Sequence, residues 1–335
     1  MTALPLPVPS VPARLFDLVQ APLRWQLVET ALRLGLFEAL HAPAAAAEAA
    51  RSTGLDAGRL ETVLNALAAM DLLTKTDGRF QVAPSAAPFV MRDGARSMVD
   101  LLLTLPKLRH GPVESLLVQG APPGAAPRLD DAAFWDASAA SLRALHRSMG
   151  AESMLAVLEG LPEWAGARAM LDLGAGSDVL ARLILDTHPR MAVTLCDLPP
   201  LAARFASLRD EPGTAGRVTI LSGDYNDVDL GGPYDVVWAS MTLYYARDLT
   251  ALFGRLRAAL RPGGVVVALH ESLTDEGTRP ECHVVGRLVP ELRGQSRSFK
   301  DGEIAAAMRA AGLTSVEQRP VLTGAGLLSA DLGRP

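Results

Sequence analysis

The sequence predicts an α/β fold, a doubly wound parallel sheet preceded by a smaller helical domain. Three observations predict it. From residue 169 onward short apolar runs alternate with amphipathic helical stretches, the pattern that builds β-α units. The first of these runs ends in Gly174-Ala175-Gly176 and the second in Asp197. Ahead of them, helical stretches lead to two strand-like runs separated by Asp77-Gly78. At 335 residues the chain has room for two domains and a large core.

Composition narrows the class. Apolar residues make up 49% of the chain and aromatics only 5%, which fits a helix-rich globular protein rather than a disordered one. A net charge of −5 argues against nucleic acid or an anionic membrane as the main partner. Two cysteines, Cys196 and Cys282, cannot make a disulfide framework and lack metal-ligand spacing, so a reducing, cytoplasmic setting is expected. Residues 1–10 have no cationic segment and too many prolines for a signal peptide, and no apolar run reaches membrane-spanning length.

Each element can be justified in turn. Residues 1–12 are Pro-rich and read as an extended arm. Over 13–34, Leu23, Leu27, Ala31 and Leu34 form a helical stripe that Val28 and Leu32 widen; Gly35 stops it and 36–40 makes a further turn. An Ala-rich helix spans 44–52. Asp56 caps the next, with Leu60, Val63, Leu64 and Leu67 at helical spacing. Residues 72–76 and 79–82 form a hairpin about Asp77-Gly78, which completes a winged helix. The helix at 56–70 carries Arg59, Glu61 and Asn65 among apolar residues, too few cations to follow a phosphate backbone. As an apolar docking surface it suits a dimer instead.

Residues 85–165 read as helices with breaks, the clearest loop being Pro122-Pro123-Gly124-Ala125-Ala126-Pro127 and the clearest helix 131–158. There Leu142, His146 and Met149 share a face, so His146 is either bonded within the domain junction or a substrate contact. Strands follow at 169–173, 191–197, 218–221, 234–239 and 265–269, with a helix at 249–260 and a sharp turn at Arg261-Pro262-Gly263-Gly264. Asp301 is a plausible cap for a helix at 304–311, and 315–319 with 326–330 suit a closing hairpin. The domains expected are 1–105, a helical linker at 106–165, and 166–335.

The paired glycines allow backbone amides to approach a ligand at a helix N-terminus, and Asp197 can accept from two adjacent ribose hydroxyls. The third glycine of a dinucleotide fingerprint is missing. The charge of Asp178 beside the loop would repel a pyrophosphate, which favours one nucleoside with a zwitterionic tail, as in S-adenosylmethionine.

With these pieces in place the chain resembles the class I S-adenosylmethionine-dependent methyltransferases. More narrowly, it is similar to the dimeric small-molecule O-methyltransferases of plants and bacterial secondary metabolism. The motifs are Leu171-Asp172-Leu173-Gly174-Ala175-Gly176, Cys196-Asp197-Leu198-Pro199, Gly223-Asp224-Tyr225 and Arg261-Pro262-Gly263-Gly264. The resemblance implies a winged-helix dimerisation domain, a Rossmann-like cofactor domain and a homodimer. It implies cofactor contacts at Asp172, Gly174, Gly176, Asp197, Leu198 and Ser240, with Asp224 taking the adenine amino group and Tyr225 lying against the ring. Asp178 departs from the family, which usually has another glycine there.

A second departure bears on the chemistry. The family carries a His-Asp-Trp run after the fourth strand, its histidine being the base. Here Leu243-Tyr244-Tyr245-Ala246-Arg247-Asp248 stands there, and Tyr244, a poor base at neutral pH, takes the histidine's place. Glu271 matches one orienting glutamate of the family, while Ser296, before Arg297, replaces the other. Three explanations stay open: an acceptor needing no strong base; another base, His270 first and Tyr244 second; or a fold that binds the cofactor without methyl transfer.

His283 and Arg287 lie four apart, on one face if helical, and with His146 and His270 could receive a carboxylate, which points to a small anionic substrate. Met149 completes the substrate candidates. His270, His283 and Glu271 could instead hold a metal, but no ligand spacing supports it and none is expected. The sequence thus predicts a methyltransferase. The alternatives are S-, C- or N-methylation of a small carboxylate, or a non-methylating S-adenosylmethionine binder.

Overall fold

The apolar stripe near the N-terminus coils into α1 (Val11–Arg33), followed after left-handed Gly35 by α2 (Leu36–Ala39). Helix therefore begins inside the expected extended arm, because Pro12 sits in the first turn, where a missing N–H costs nothing. Only the second half of the stripe is buried, at Ala31 and Leu32, while Val11, Leu15, Phe16, Leu18, Val19 and Leu23 are exposed. The computed structural model describes residues 10–109, 111–122, 132–295, 298–324 and 326–335. The expected loop beyond Pro122, and Ser296 with Arg297, lie outside the described residues, as do residues 1–9 of the arm.

The chain divides into two compact units, Met1–Leu103 and Thr104–Pro335. In the first, β1 (Ala44–Ala45), α3 (Ala46–Thr53), α4 (Ala57–Ala69), β2 (Leu73–Thr76), β3 (Arg79–Val82) and α5 (Ala87–Val90) make a winged helix whose sheet runs β1-β3-β2. Asp56 caps α4 as expected, accepting from Arg59 N at 2.9 Å. Ala44 and Ala45 pair with β3 instead of opening the expected helix, because cross-strand pairing to Phe80 and Arg79 overrides alanine's helical preference.

Helices α6 (Val99–Arg109), α7 (Val113–Gln119), α8 (Ala132–Leu145) and α9 (Ala151–Glu159) follow, the last two joined through a π-turn, His146–Gly150. The sheet is then built by β4 (Ala169–Leu173), α10 (Val179–Thr187), β5 (Ala192–Asp197), α11 (Pro199–Ala202), α12 (Ala206–Asp210), β6 (Val218–Ser222), β7 (Tyr234–Ser240), α13 (Leu249–Ala258) and β8 (Leu260–His270). After the short β9 (Ser272–Leu273), α14 (Glu281–Leu292), β10 (Phe299–Lys300) and α15 (Glu303–Ala310), the chain closes with β11 (Ser315–Thr323) and β12 (Gly326–Arg334).

The order β11-β12-β8-β7-β4-β5-β6 is parallel from β6 to β8 and antiparallel at β12 and β11, the doubly wound α/β sheet that was expected. Its strands read as continuous apolar runs because both faces are covered. Met170, Leu195, Trp238 and Val267 face one core, and Leu171, Cys196, Val237 and Val266 the other. One cap differs from expectation: left-handed Gly302, not Asp301, precedes α15, and Asp301 accepts instead from Gln318 Nε2 at 2.9 Å. Among the described residues no helix is long and apolar enough to cross a membrane.

Candidate functional site

β5 lies on one side of β4 and β7 on the other, so the winding reverses at β4 and a crevice opens at the carboxyl ends of the strands. The loops leaving these ends carry the residues that the motifs single out. Gly174 and Gly176 both stand in the left-handed region, at φ 67° and 66°. Gly174 N donates to Cys196 O at 2.8 Å, and a Cβ there would lie 2.7 Å from the Cβ of Thr242. At Gly176 a Cβ would meet only His146 Cε1 and Leu142 Cδ1, each at 3.7 Å.

Asp197 ties this loop to β5. Its carboxylate accepts from Gly176 N at 2.7 Å and from Leu198 N at 2.8 Å, one bond on each oxygen, which leaves each a lone pair for a hydroxyl. Burial pushes its pKa up to about 6, against the pull of those two amides. Asp172, buried in β4, is pushed up to about 8 by burial and then by the charge of Asp197. At the end of β7 the Ser240 hydroxyl is buried with no partner among the described residues, an unmet group of the kind that a ligand completes.

Met241 follows at φ 52°, a left-handed backbone without glycine that costs about 1–3 kcal/mol and is characteristic of functional turns. This turn brings Thr242 against Gly174. The Tyr225 hydroxyl donates to Thr242 O at 2.8 Å, and Tyr225 is only 7% exposed. Tyr225 thus also supports, through its hydroxyl, the turn behind Gly174. Asp224 caps its own loop, Oδ1 accepting from Asn226 N at 2.8 Å and Oδ2 from the exposed Arg247 at 2.9 Å. The charge expected at Asp178 is also corrected. Its carboxylate is buried and paired with Arg143 and Arg182, and Arg182 also binds Glu211 at 2.6 Å, so the glycine loop carries no unbalanced negative charge.

His146 lies in the π-turn and its Nδ1 pairs with the Ser177 hydroxyl at 2.8 Å; burial pushes its pKa down to about 4, so it is neutral. His146 is thus tied to the loop that follows Gly176. Met149 turns away toward Gly324, where a Cβ would lie 3.1 Å from its own.

Around Tyr244 the residues expected to do chemistry do gather. Its ring meets those of Tyr245 and His270 edge-on, with centroids 4.7 and 5.9 Å away, and Arg287 Cζ lies 5.7 Å from it. His270 is 1% exposed, its Nε2 has no partner among the described residues, and burial with Arg287 pushes its pKa down to about 3. Glu271 accepts from Arg287 Nε at 2.6 Å and lies 3.6 Å from His283 Nδ1. His283 and Arg287 do share a face of α14, but His283 Nε2 bonds Leu327 O at 2.6 Å. The expected carboxylate receptor is therefore not assembled: Arg287 is neutralised by Glu271, His283 and His146 are bonded within the protein, and His270 is sealed. Among the described residues no three His, Cys, Asp or Glu side chains could together hold a metal.

Sequence reasoning missed Ser177, Arg143, Met241 and Thr242. Only Arg143 left a signal, lying one helical turn before His146.

Comparison with known proteins bears on this geometry. Residues 171–266 match the family model "Methyltransferase domain", and residues 16–92 match the model "O-methyltransferase dimerisation domain". The chain is 28% identical to demethylspheroidene O-methyltransferase of Cereibacter sphaeroides over 79% of its own length and 72% of that protein's. It is 26% identical to the N,N-dimethyltransferase OxyT of Streptomyces rimosus over 93% of both chains. Among solved structures, human N-acetylserotonin methyltransferase in complex with SAM superposes with a TM-score of 0.78, at 18% identity over 99% of each chain, a likeness of fold.

Proposed function

The chain belongs to the S-adenosylmethionine-dependent O-methyltransferase family, and from that premise we propose that it methylates a small, uncharged acceptor held between the glycine loop and Tyr244. The observation that carries this reading is the convergence, at the ends of β4, β5 and β7, of an open left-handed Gly176, the Asp197 carboxylate and the unmet Ser240 hydroxyl. These groups fit the cofactor. Asp197 has lone pairs for the ribose, Ser240 has an unsatisfied hydroxyl, and Gly176 presents no side chain to the methionyl tail. The adenine end would rest on Asp224, whose Oδ2 is held, among the described residues, by the exposed Arg247.

Bound S-adenosylmethionine supplies an activated methyl group on a sulfonium. The task left to the protein is to orient the acceptor and exclude water. Among the described residues named for chemistry, none is set as a strong base. Tyr244 packs edge-on against His270, His270 is sealed and neutral, and Glu271 is committed to Arg287. This favours an acceptor whose proton leaves easily, or one with none to lose, over a simple phenol. OxyT, an N,N-dimethyltransferase, makes an amine acceptor equally worth testing. A homodimer through the first unit accompanies this reading, supported by the dimerisation match and the exposed apolar stripe of α1.

The test is calorimetry with S-adenosylhomocysteine, followed by turnover of S-adenosylmethionine against acidic phenols, enols, amines and thioethers. Cofactor binding that is lost in Asp197→Ala, with turnover on at least one class, is expected. Binding without turnover on any class would leave a cofactor-binding protein, and no binding would overturn the assignment.

A further inference from the structure

The helical segment ahead of the sheet grips the glycine loop at two adjacent positions. His146 Nδ1 pairs with Ser177 Oγ at 2.8 Å, and Arg143, one turn earlier on α8, pairs with the buried carboxylate of Asp178. Ser177 and Asp178 immediately follow Gly176, and the open side of Gly176 is roofed by Leu142 and His146. The same segment makes contact elsewhere through Met149, which packs on Gly324 in the turn between β11 and β12. His146 and Met149 both lie within the π-turn, His146–Gly150, a local widening of the helix that recurs at functional sites.

We propose that α8 and this π-turn form a latch on the cofactor loop, with His146 as its positioning residue, so that filling the loop fixes the helical segment down to Met149. The inference rests on the cofactor reading above. The physical reason is that the loop's contacts are shared. A ligand tail seated beside Gly176 lies under Leu142 and His146, and whatever orders Ser177 orders its bond to His146 as well. His146 suits the task because a neutral imidazole can either accept a hydrogen bond from the Ser177 hydroxyl or donate one to it, while that oxygen also accepts from Val179 N at 3.4 Å, which joins the latch to the first turn of α10. Arg143 keeps the segment in register, since releasing it would leave the Asp178 carboxylate buried with Arg182 alone. Latching makes cofactor binding precede ordering of the segment that carries Met149 against Gly324.

Hydrogen exchange on the full chain, with S-adenosylhomocysteine as the probe, tests this. In the wild type the probe should slow exchange at residues 142–150 by about tenfold or more, a range that local opening equilibria span. Ser177→Thr, which keeps the hydroxyl, should behave likewise. Ser177→Ala and His146→Leu should lose the slowing at 142–150 while the probe still protects 179–187. Undiminished slowing at 142–150 in both variants, or none in a wild type that binds the probe, would overturn the latch alone. A wild type that binds no probe would overturn the cofactor reading along with it.

Discussion

Gly174 and Gly176 share a backbone conformation but not a neighbourhood, and alanine at each separates the two. At Gly174 the new methyl would collide with Thr242 in addition to meeting a left-handed φ, whereas at Gly176 it would sit in ordinary contact, 3.7 Å from His146 and Leu142. Gly176→Ala should therefore lower stability only by the left-handed term, roughly 1–2 kcal/mol, while weakening S-adenosylhomocysteine binding at least tenfold. Gly174→Ala should lower the melting temperature clearly further; equal melting temperatures for the two would refute the contact with Thr242. At Tyr244 the absence of a strong base predicts that Tyr244→Phe keeps kcat within about tenfold, less than the 10²–10⁴ that positioned proton transfer contributes. A loss beyond a thousandfold at unchanged cofactor Kd would instead make Tyr244 the base.

Between elements, the connection with the most consequence is one the sequence hid. Asp235, at the start of β7, accepts from Arg168 N at 2.7 Å and Ala169 N at 2.9 Å and pairs with Arg261 at 3.0 Å, joining β4, β7 and the start of β8. Asp235→Ala would leave two amides unmet, at roughly 1–3 kcal/mol apiece if they stay buried. It should lower the urea midpoint well beyond Arg261→Ala at an unchanged slope. Strands β4 to β8, the winged hairpin and the closing hairpin were legible because their apolar runs and turn residues are local signals. The Ala-rich run from Ala44 misled because alanine prefers helix and pairing with Phe80 and Arg79, far along the chain, makes its first two residues a strand. At the site, Gly174, Gly176 and Asp197 could be read from their positions at strand ends. The partners of Asp178, Tyr225 and Arg287 could not, because Arg143, Thr242 and Glu271 are neighbours only once the sheet exists.

Assembly and pH response belong to the whole molecule. The exposed residues of α1, Val11, Leu15, Leu18 or Val19, and Leu23, recur at helical spacing, and Val19 is 75% exposed. If this stripe carries the proposed dimer, Leu15→Asp with Val19→Asp should halve the mass by light scattering and leave the circular dichroism spectrum unchanged. A mass that does not change would move the interface elsewhere. Asp172 and Asp197 hold protons more tightly in the fold than in an unfolded chain, where aspartate ionises near 3.9. The native state thus carries more protons between about pH 4 and 8, and its stability should fall as pH rises across that window. Asp172→Asn should flatten the decline in melting temperature between pH 5 and 8. The same pair of acids has a calorimetric signature. A positively charged guest arriving at these strand ends would favour their ionised forms, so near neutral pH its uptake should expel protons into the medium, and the measured heat should differ between Tris and phosphate in proportion to each buffer's own enthalpy of ionisation.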